Sequence, residues 1–171
     1  MSWSRRQALG LALLPAAALA GCGFQPMYGG PGRATLAEMG TIRVDQPRDR
    51  LGQLVRNEIV KRMSPRGEPD VVHYKLSYST RLTEFKLAIQ DDDTITRFNL
   101  RLTVDVWLLE IASGEVIYRD KTRVVGGYNA VKSDFATLSA RLDTADRIAR
   151  ANAEEIVTLL GLFFTRKRAA G

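Results

Sequence analysis

The chain has 171 residues but only one cysteine, Cys22, and one histidine, His73. A lone cysteine excludes an intramolecular disulfide. A zinc site built from cysteine and histidine lacks the three or four ligands that it needs. The sequence also contains no P-loop and no glycine-rich dinucleotide-binding turn. These absences argue against three classes of protein: disulfide scaffolds, zinc proteins and nucleotide-dependent enzymes.

Apolar runs are also too short to cross a bilayer, which needs about 20 residues. The stretch over residues 9–20 is broken by Pro15 and follows the positive charges of Arg5 and Arg6. A charged start before a short apolar stretch is typical of a secretory signal. The run Ser4-Arg5-Arg6 resembles the start of a twin-arginine signal, so both export routes stay open.

The end of this segment, Leu19-Ala20-Gly21-Cys22, resembles the lipobox of bacterial lipoprotein precursors. In that family the thiol takes a diacylglycerol, the chain is cut before the cysteine, and the new amine receives an acyl chain such as palmitate. The alternative is an ordinary signal with a chance cysteine, which would leave a bare thiol on an exported protein. We therefore predict a signal peptide over residues 1–21 and a lipid on Cys22. Gly23, where an Asp would favour inner-membrane retention, favours the outer membrane.

The charge balance is mildly basic. The formal net charge is +6, and Arg5 and Arg6 are the only charges before Cys22, so the part after the cut retains +4. A basic protein favours anionic partners. Nucleic acid is not expected as a partner of an exported lipoprotein.

The first part of the mature chain is predicted to contain a tether, a short strand and a helix. Residues 22–40 are rich in glycine and proline without a sustained period, which predicts a lipidated flexible tether. Residues 41–44 are a short strand candidate. Asp49 then precedes apolar residues at helical spacing, which predicts an N-capped amphipathic helix of about 14 residues that ends at residues 64–67.

The hydrophobic period next changes to two, which predicts long strands with one buried face. One strand covers residues 74–82, the next covers residues 98–108, and the third covers residues 115–125 and ends at Gly126-Gly127. The acidic run over residues 91–93 is interpreted as a solvated hairpin tip.

The C-terminal part returns to helical spacing. Residues 133–142 predict a short helix, and Asp143 caps a longer one whose apolar side runs to Leu160. The order of elements predicts an α+β fold: a four-stranded, mostly antiparallel or mixed sheet with two helices packed on one face. A single domain over residues 41–171 accommodates all of these elements.

The loop Ala112-Ser113-Gly114 sets the register of the last two strands. With Gly114 in the left-handed conformation, a three-residue loop pairs Ile111 with Glu115. This register leaves Asp120 opposite Val106 on the buried face, a misfit that a bulge or a sheet edge would relieve. It predicts the following pairs: Leu108 with Tyr118, Val104 with Thr122, Leu102 with Val124, Asp105 with Lys121, Trp107 with Arg119 in a cation–π contact, and Leu109 with Ile117.

The same alternation leaves one sheet face open and basic. Cations beside apolar surface suit a ligand with phosphates and acyl chains, or the polar inner wall of a large barrel. A solvated face with routine Lys and Arg would show the same pattern, so both interpretations stay open. The cations predicted on this face are Lys75, Arg81, Arg101, Arg119, Lys121 and Arg123, and the apolar patch is Trp107, Leu109 and Ile117.

Catalysis is not expected from this residue set. His73 stands at a strand start, and with Cys22 acylated no Cys–His pair or Ser–His–Asp triad is complete. The aspartates at 91–93 lack the alternating ligands and final Glu of a calcium loop. Glu154 and Glu155 are adjacent on a helix and diverge. The expected protein is therefore not an enzyme, has no metal, and carries no cofactor besides its covalent lipid.

The segment Leu19-Ala20-Gly21-Cys22-Gly23-Phe24-Gln25-Pro26-Met27-Tyr28-Gly29, followed by this order of elements, resembles the LPS-assembly lipoprotein LptE family, most closely its alphaproteobacterial branch. The resemblance implies two helices on a four-stranded sheet and a lipid on Cys22. It also implies a plug inside the outer-membrane barrel LptD that supports barrel assembly and helps deliver lipopolysaccharide to the outer leaflet.

Strand geometry adds candidate residues to this resemblance. Lipopolysaccharide contacts are expected at Arg101, Arg119, Lys121 and Arg123, and barrel or acyl contacts at Trp107, Leu109 and Ile117. The predicted location is the periplasmic face of the outer membrane. The alternative function is an auxiliary periplasmic lipoprotein of a lipid ABC-type transport system. A lipoprotein enzyme or cell-wall binder is a third class.

Overall fold

The computed structural model describes residues 30–65, 67–89 and 95–170. The signal peptide, Cys22 and the acidic run at 91–93 lie outside the described residues. The elements are, in chain order, α1 (Gly30–Met39), β1 (Ile42–Val44), α2 (Arg50–Met63), β2 (Tyr74–Ile89), β3 (Ile95–Glu110), β4 (Val116–Asn129) and α3 (Asp134–Ala170).

The four strands form one mixed sheet in the order β1-β2-β3-β4. β1 is parallel to β2, and helix α2 forms the crossover between them, as a parallel pair requires. β2, β3 and β4 form an antiparallel meander. The α+β class and the mixed four-stranded sheet are confirmed.

The core lies between one face of the sheet and the helices, and we call this face the covered face. Alternate residues of β3 are buried on it because successive side chains of a strand point to opposite faces. Helix α2 contributes one apolar stripe and α3 a second, longer one. The central core residues are Val55, Ile59, Leu76, Leu100, Leu102, Val104, Leu108, Ile156, Leu160 and Phe164.

Helix α2 begins and ends as the sequence predicts. Asp49 has extended backbone angles, and its Oδ1 accepts a hydrogen bond from the Gly52 backbone N–H at 2.8 Å. This satisfies one of the free N–H groups of the first turn. Ser64 follows Met63 as the C-cap.

A third helix, α1, corrects the expected tether. Residues Gly30–Met39 are helical, and Thr35 and Met39 are buried. The Arg168 guanidinium of α3 donates to Thr35 Oγ1 at 3.0 Å and to Glu38 Oε2 at 3.2 Å. Packing against α3 therefore stabilises a segment whose own helical pattern is weak.

The C-terminal region is one helix of 37 residues, so the expected break at Asp143 is wrong. Asp143 lies in the helix interior and forms an ion pair at 2.9 Å with Arg147, one turn further on. The helix start is marked by Ser133, whose Oγ accepts from the Ala136 backbone N–H at 3.3 Å.

Strand β4 also runs further than predicted. It continues through Gly126 and Gly127 to Asn129. A Cβ atom on Gly126 would lie 2.6 Å from Cγ2 of Ile148 and 2.9 Å from Cγ2 of Thr144. The glycine thus allows α3 to approach the strand and does not end it.

The register of β3 and β4 is as predicted from Leu108–Tyr118 onward, but it arises differently. Glu110, not Ile111, pairs with Glu115 across the turn, with Gly114 at φ +71°. Ile117 forms a bulge between Val116 and Tyr118, so that Leu109 pairs with Val116. The extra loop residue and the bulge offset each other. The predicted pairs Ile111–Glu115 and Leu109–Ile117 are therefore wrong.

The predicted misfit at Asp120 is relieved because β4 is an edge strand. Asp120 is exposed and faces Val106 across the ladder. Its carboxylate accepts from the Tyr118 hydroxyl at 2.6 Å and from the Lys121 backbone N–H at 2.7 Å. An occupied N–H and a charged side chain both discourage further strand pairing at this edge.

Candidate functional site

The face of the sheet opposite the helices, which we call the open face, is the candidate site. On β3 its residues are half-buried by their neighbours, whereas the intervening residues are fully buried under the helices. In the part of the chain that the structure describes, no helix packs on this face. The open-face residues include Arg81 and Phe85 of β2, Arg101, Thr103, Asp105, Trp107 and Leu109 of β3, and Val116, Arg119, Lys121 and Arg123 of β4.

Three arginines are neighbours at the middle of the open face. Arg81 of β2 and Arg123 of β4 both pair with Thr103 of β3, one from each side. Because adjacent strands are about 5 Å apart, the guanidinium groups of Arg81 and Arg123 can reach one anion above Thr103. Arg101 lies on the same face two residues before Thr103, and its guanidinium group lies over Phe85.

Arg101 is partly immobilised. Its guanidinium carbon lies 4.8 Å above the centre of the Phe85 ring, a cation–π distance. Its Nε atom is buried and has no hydrogen-bond partner among the described residues. A guanidinium group donates hydrogen bonds to carboxylate or phosphate oxygens, so an arginine held in this way suits an anionic ligand.

Two other cations of the face are already neutralised. Lys121 forms an ion pair with Asp105 at 2.9 Å, and Lys75 forms one with Asp45 at 3.2 Å. Arg81, Arg101, Arg119 and Arg123 form no ion pair with another described residue. Of the predicted lipopolysaccharide contacts, the structure therefore leaves Arg101, Arg119 and Arg123 available and pairs Lys121.

An apolar patch lies at one end of the same face. Trp107 is opposite Arg119 in the ladder, and Leu109 is opposite Val116. A depression of about 450 Å³ lies beside this patch, and it is lined by Asp105, Val106, Trp107, Val116, Arg119 and Asp120. The cation–π contacts between described residues do not include the predicted Trp107–Arg119 pair.

Ile117 is not part of this patch. The bulge turns its side chain toward the covered face, where it packs against the core. Val116 takes the place beside Leu109 that the prediction gave to Ile117. The prediction that Ile117 lies on the open face, where it was expected to contact the barrel or acyl chains, is therefore wrong.

Behind the open face, the partly buried rings of Tyr78 and Tyr118 pack against the core. Burial raises the pKa of Tyr78, whose hydroxyl donates to the Gly52 carbonyl at 3.0 Å. Burial, then the hydrogen bond to Asp120, raises the pKa of Tyr118. These groups stay protonated at neutral pH, so the site's charge comes from its arginines and lysines.

The sequence predicts Arg81 on the open face but not among the lipopolysaccharide contacts, and it assigns no role to Phe85. Alternation places Arg81 on the open face, but its alignment with Arg123 depends on the β2–β3 register, which no short loop specifies. Phe85 lies on the same face two residues past Thr83 and could have been found by extending the alternation beyond Leu82. Its contact with Arg101 needs the register as well.

A metal centre has no support in the described ranges. No group of three or more His, Cys, Asp or Glu side chains in residues 30–65, 67–89 and 95–170 is arranged to hold a metal ion. His73 is an exposed residue just before β2. None of the helices in the described part is both long and apolar enough to span a membrane.

Solved structures share this fold. A candidate lipoprotein from Caulobacter crescentus has a TM-score of 0.65 at 24% identity, with 78% of this chain and 97% of that chain covered. Rare lipoprotein B from Shewanella oneidensis has a TM-score of 0.59 at 13% identity, with 75% and 97% covered. A lipoprotein B from Nitrosomonas europaea has a TM-score of 0.57 at 12% identity, with 72% and 83% covered.

These likenesses establish the fold. At such low identity they show a shared fold and no more, and the lipoprotein names belong to those proteins. The chain matches no family model and no curated protein.

Proposed function

We propose that this protein is an outer-membrane lipoprotein that acts as plug and assembly partner of the LptD β-barrel. Its open face would bind lipopolysaccharide on the way to the outer leaflet. The observation that carries this proposal is the grouping of Arg81, Arg101 and Arg123 on one face of a sheet whose opposite face is covered by helices. None of the three forms an ion pair with a described residue.

The membrane anchor is supported by the sequence. Leu19-Ala20-Gly21-Cys22 resembles a lipobox, and Cys22 is the only cysteine. A diacylglycerol with an added N-acyl chain would hold the protein firmly on a membrane. The lipoprotein names of three structures with this fold are in accord with such an anchor.

The ligand class follows from the chemistry of the open face. Lipopolysaccharide presents phosphates next to acyl chains, and guanidinium groups bind phosphate through paired N–H donors. The arginine cluster provides those donors, and Trp107, Leu109 and Val116 provide apolar surface further along the same face. No catalytic step is proposed, because the role requires binding alone.

The plug role follows from the resemblance to LptE and from the polarity of the open face. The lumen of a large outer-membrane barrel is polar, so a plug must present polar and charged side chains to it. Here the open face would contact the lumen wall or the ligand through four arginines that form no ion pair with a described residue. The covered face encloses the apolar core.

The decisive experiment is purification from detergent-solubilised outer membranes of the native organism through a C-terminal tag. We expect recovery of a large β-barrel in equimolar amount. The control is the Cys22→Ala variant, which should accumulate as uncut precursor and bring down no barrel. Recovery of an inner-membrane transporter alone would contradict the plug role and favour the auxiliary transport lipoprotein.

A further inference from the structure

We propose that one end of the molecule rests in the acyl region of a phospholipid bilayer, beside the lipid anchor. This proximal end consists of residues 71–73, which precede β2, and residues 111 and 112 of the β3–β4 loop. The proposal rests on the proposed function in one respect: it takes Cys22 to be acylated. It concerns the lipidated protein on the membrane before it enters the barrel.

The two loops of the proximal end form one apolar surface. The Ile111 backbone N–H donates to the His73 carbonyl at 2.9 Å, which holds the β3–β4 loop against the start of β2. Val71 is 61% exposed and Ile111 is 49% exposed. Val72, Ile111 and Ala112 line a depression of about 320 Å³ between the loops. Large apolar side chains that are grouped and exposed mark a contact surface more often than scattered ones do.

The anchor is attached near this end. Helix α1 follows Cys22 by eight residues, and its side chains at Thr35 and Glu38 contact Arg168 near the C-terminus of α3. After α1, the Thr41 carbonyl accepts from the His73 backbone N–H at 3.1 Å. Helix α1 therefore lies next to the proximal end, and the anchor departs from α1.

The anchor lies closer to the proximal end than to the opposite end. Eight extended residues span at most about 28 Å. From Arg168 back to Asp134, the 34 intervening steps of α3 cover about 51 Å. Thr35 contacts Arg168 directly. The anchor can therefore hold the proximal end against the bilayer, whereas it cannot enter the bilayer beside the N-terminal turns of α3.

The contact would be apolar and only weakly electrostatic. The exposed acids Asp70 and Glu115 flank the two loops in the chain, and the exposed cation Lys75 follows residues 71–73 by two positions. Glu110 is matched by Lys167 at 3.1 Å. Since charges of both signs surround the apolar tip, attraction to anionic headgroups cannot supply most of the binding. High salt should therefore leave the contact in place.

The test uses single-cysteine labels on the lipidated full-length protein. Ile111→Cys reports on the proximal end, and Leu138→Cys, on an α3 residue of similar exposure at 52%, is the matched control. With Cys22 acylated, a polarity-sensitive fluorophore reacts only with the introduced thiol. Each protein is reconstituted into vesicles of phosphatidylethanolamine and phosphatidylglycerol, with or without brominated acyl chains. Circular dichroism checks that both variants are folded.

We expect brominated lipids to quench about half of the emission at position 111, because interfacial insertion reaches about 5–10 Å into the boundary of headgroups and acyl chains. Emission at position 138 should not change, and high salt should not reverse the quenching. An unquenched label at 111 would overturn the inference, as would equal quenching at both positions.

Mass spectrometry of the same sample separates the two proposals. A bare Cys22 thiol overturns the proposed function, whereas an acylated Cys22 with an unquenched label overturns only this inference.

Discussion

The Thr122 hydroxyl of β4 donates a hydrogen bond at 2.8 Å to the side-chain oxygen of Asn152 on α3, and both residues are fully buried. The Asn152 amide nitrogen donates to the Ile148 carbonyl at 2.9 Å and to the Leu102 carbonyl of β3 at 3.4 Å. This polar pair inside an apolar core joins the long helix to two strands. It fixes which turn of α3 lies over β3 and β4 on the covered face.

Thr122→Val should destabilise the protein by about 1–3 kcal/mol, because it leaves the Asn152 oxygen buried without a donor. Denaturant unfolding measures the loss. Thr122→Ser retains the hydroxyl and should recover part of the stability. The double variant Thr122→Val with Asn152→Leu should lose less than the two single variants together, since it removes both partners. Strict additivity would contradict the pairing.

Much of this architecture is readable from the sequence, and the reasons are local. The period of two in β3 identifies the buried and open faces because each residue's side depends only on its position along the strand. Asp49 identifies the start of α2 because an N-cap acts within one turn. Arg101, Arg119 and Arg123 were therefore placed on the correct face.

What could not be predicted depends on distant contacts. Helix α1 is stabilised by Arg168, which lies more than a hundred residues later in the chain. The Arg168 side chain donates hydrogen bonds to Thr35 and Glu38. Gly126 resembles a strand end until Ile148 is known to pack on it. The alignment of Arg81, Thr103 and Arg123 depends on the register of two strand pairs. The bulge at Ile117 does not change the alternation of apolar and polar residues in the sequence, so it could not be predicted.

Gly126→Ala tests the close approach of α3 to β4. The added methyl group would contact the γ-methyl groups of Ile148 and Thr144, so we expect a loss of about 1–3 kcal/mol in the free energy of unfolding. Gly127→Ala is the matched control, because its Cβ would meet only the movable side chain of Asn99 on the open face. Equal losses in thermal or denaturant unfolding would refute the close approach.

Alkaline pH should destabilise the protein through its tyrosines. Burial raises the pKa of Tyr74, Tyr78, Tyr118 and Tyr128 above the ordinary value of 10.0. The unfolded chain then loses phenolic protons at lower pH than the folded chain, so stability is complete below about pH 10 and falls as the pH rises further.

Tyr78→Phe isolates one of these groups. It removes the hydrogen bond to Gly52, which costs up to about 1.5 kcal/mol at neutral pH. It should also make the decline in stability above pH 10 shallower than in the unchanged protein. Urea unfolding at neutral and alkaline pH measures both effects. An unchanged alkaline slope would show that Tyr78 ionises as easily in the folded chain as in the unfolded one.

Charge reversal tests the arginine cluster. Arg81→Glu with Arg123→Glu should weaken lipopolysaccharide binding about 100-fold, since each removes charge-assisted hydrogen bonds to phosphate. The control Lys61→Glu with Arg150→Glu makes the same change in net charge on exposed positions of the helix layer. Titration with fluorescent lipopolysaccharide gives the dissociation constants. Equal weakening in both variants would mean that net charge, and not the open face, determines binding.

The account depends most directly on the covalent state of position 22, which mass spectrometry of the protein isolated from native membranes can determine. We expect a chain that begins at Cys22, with a diacylglycerol thioether on its sulfur and an acyl group on its amine. An intact Met1 terminus, or a free thiol at Cys22 in the mature chain, would contradict the account.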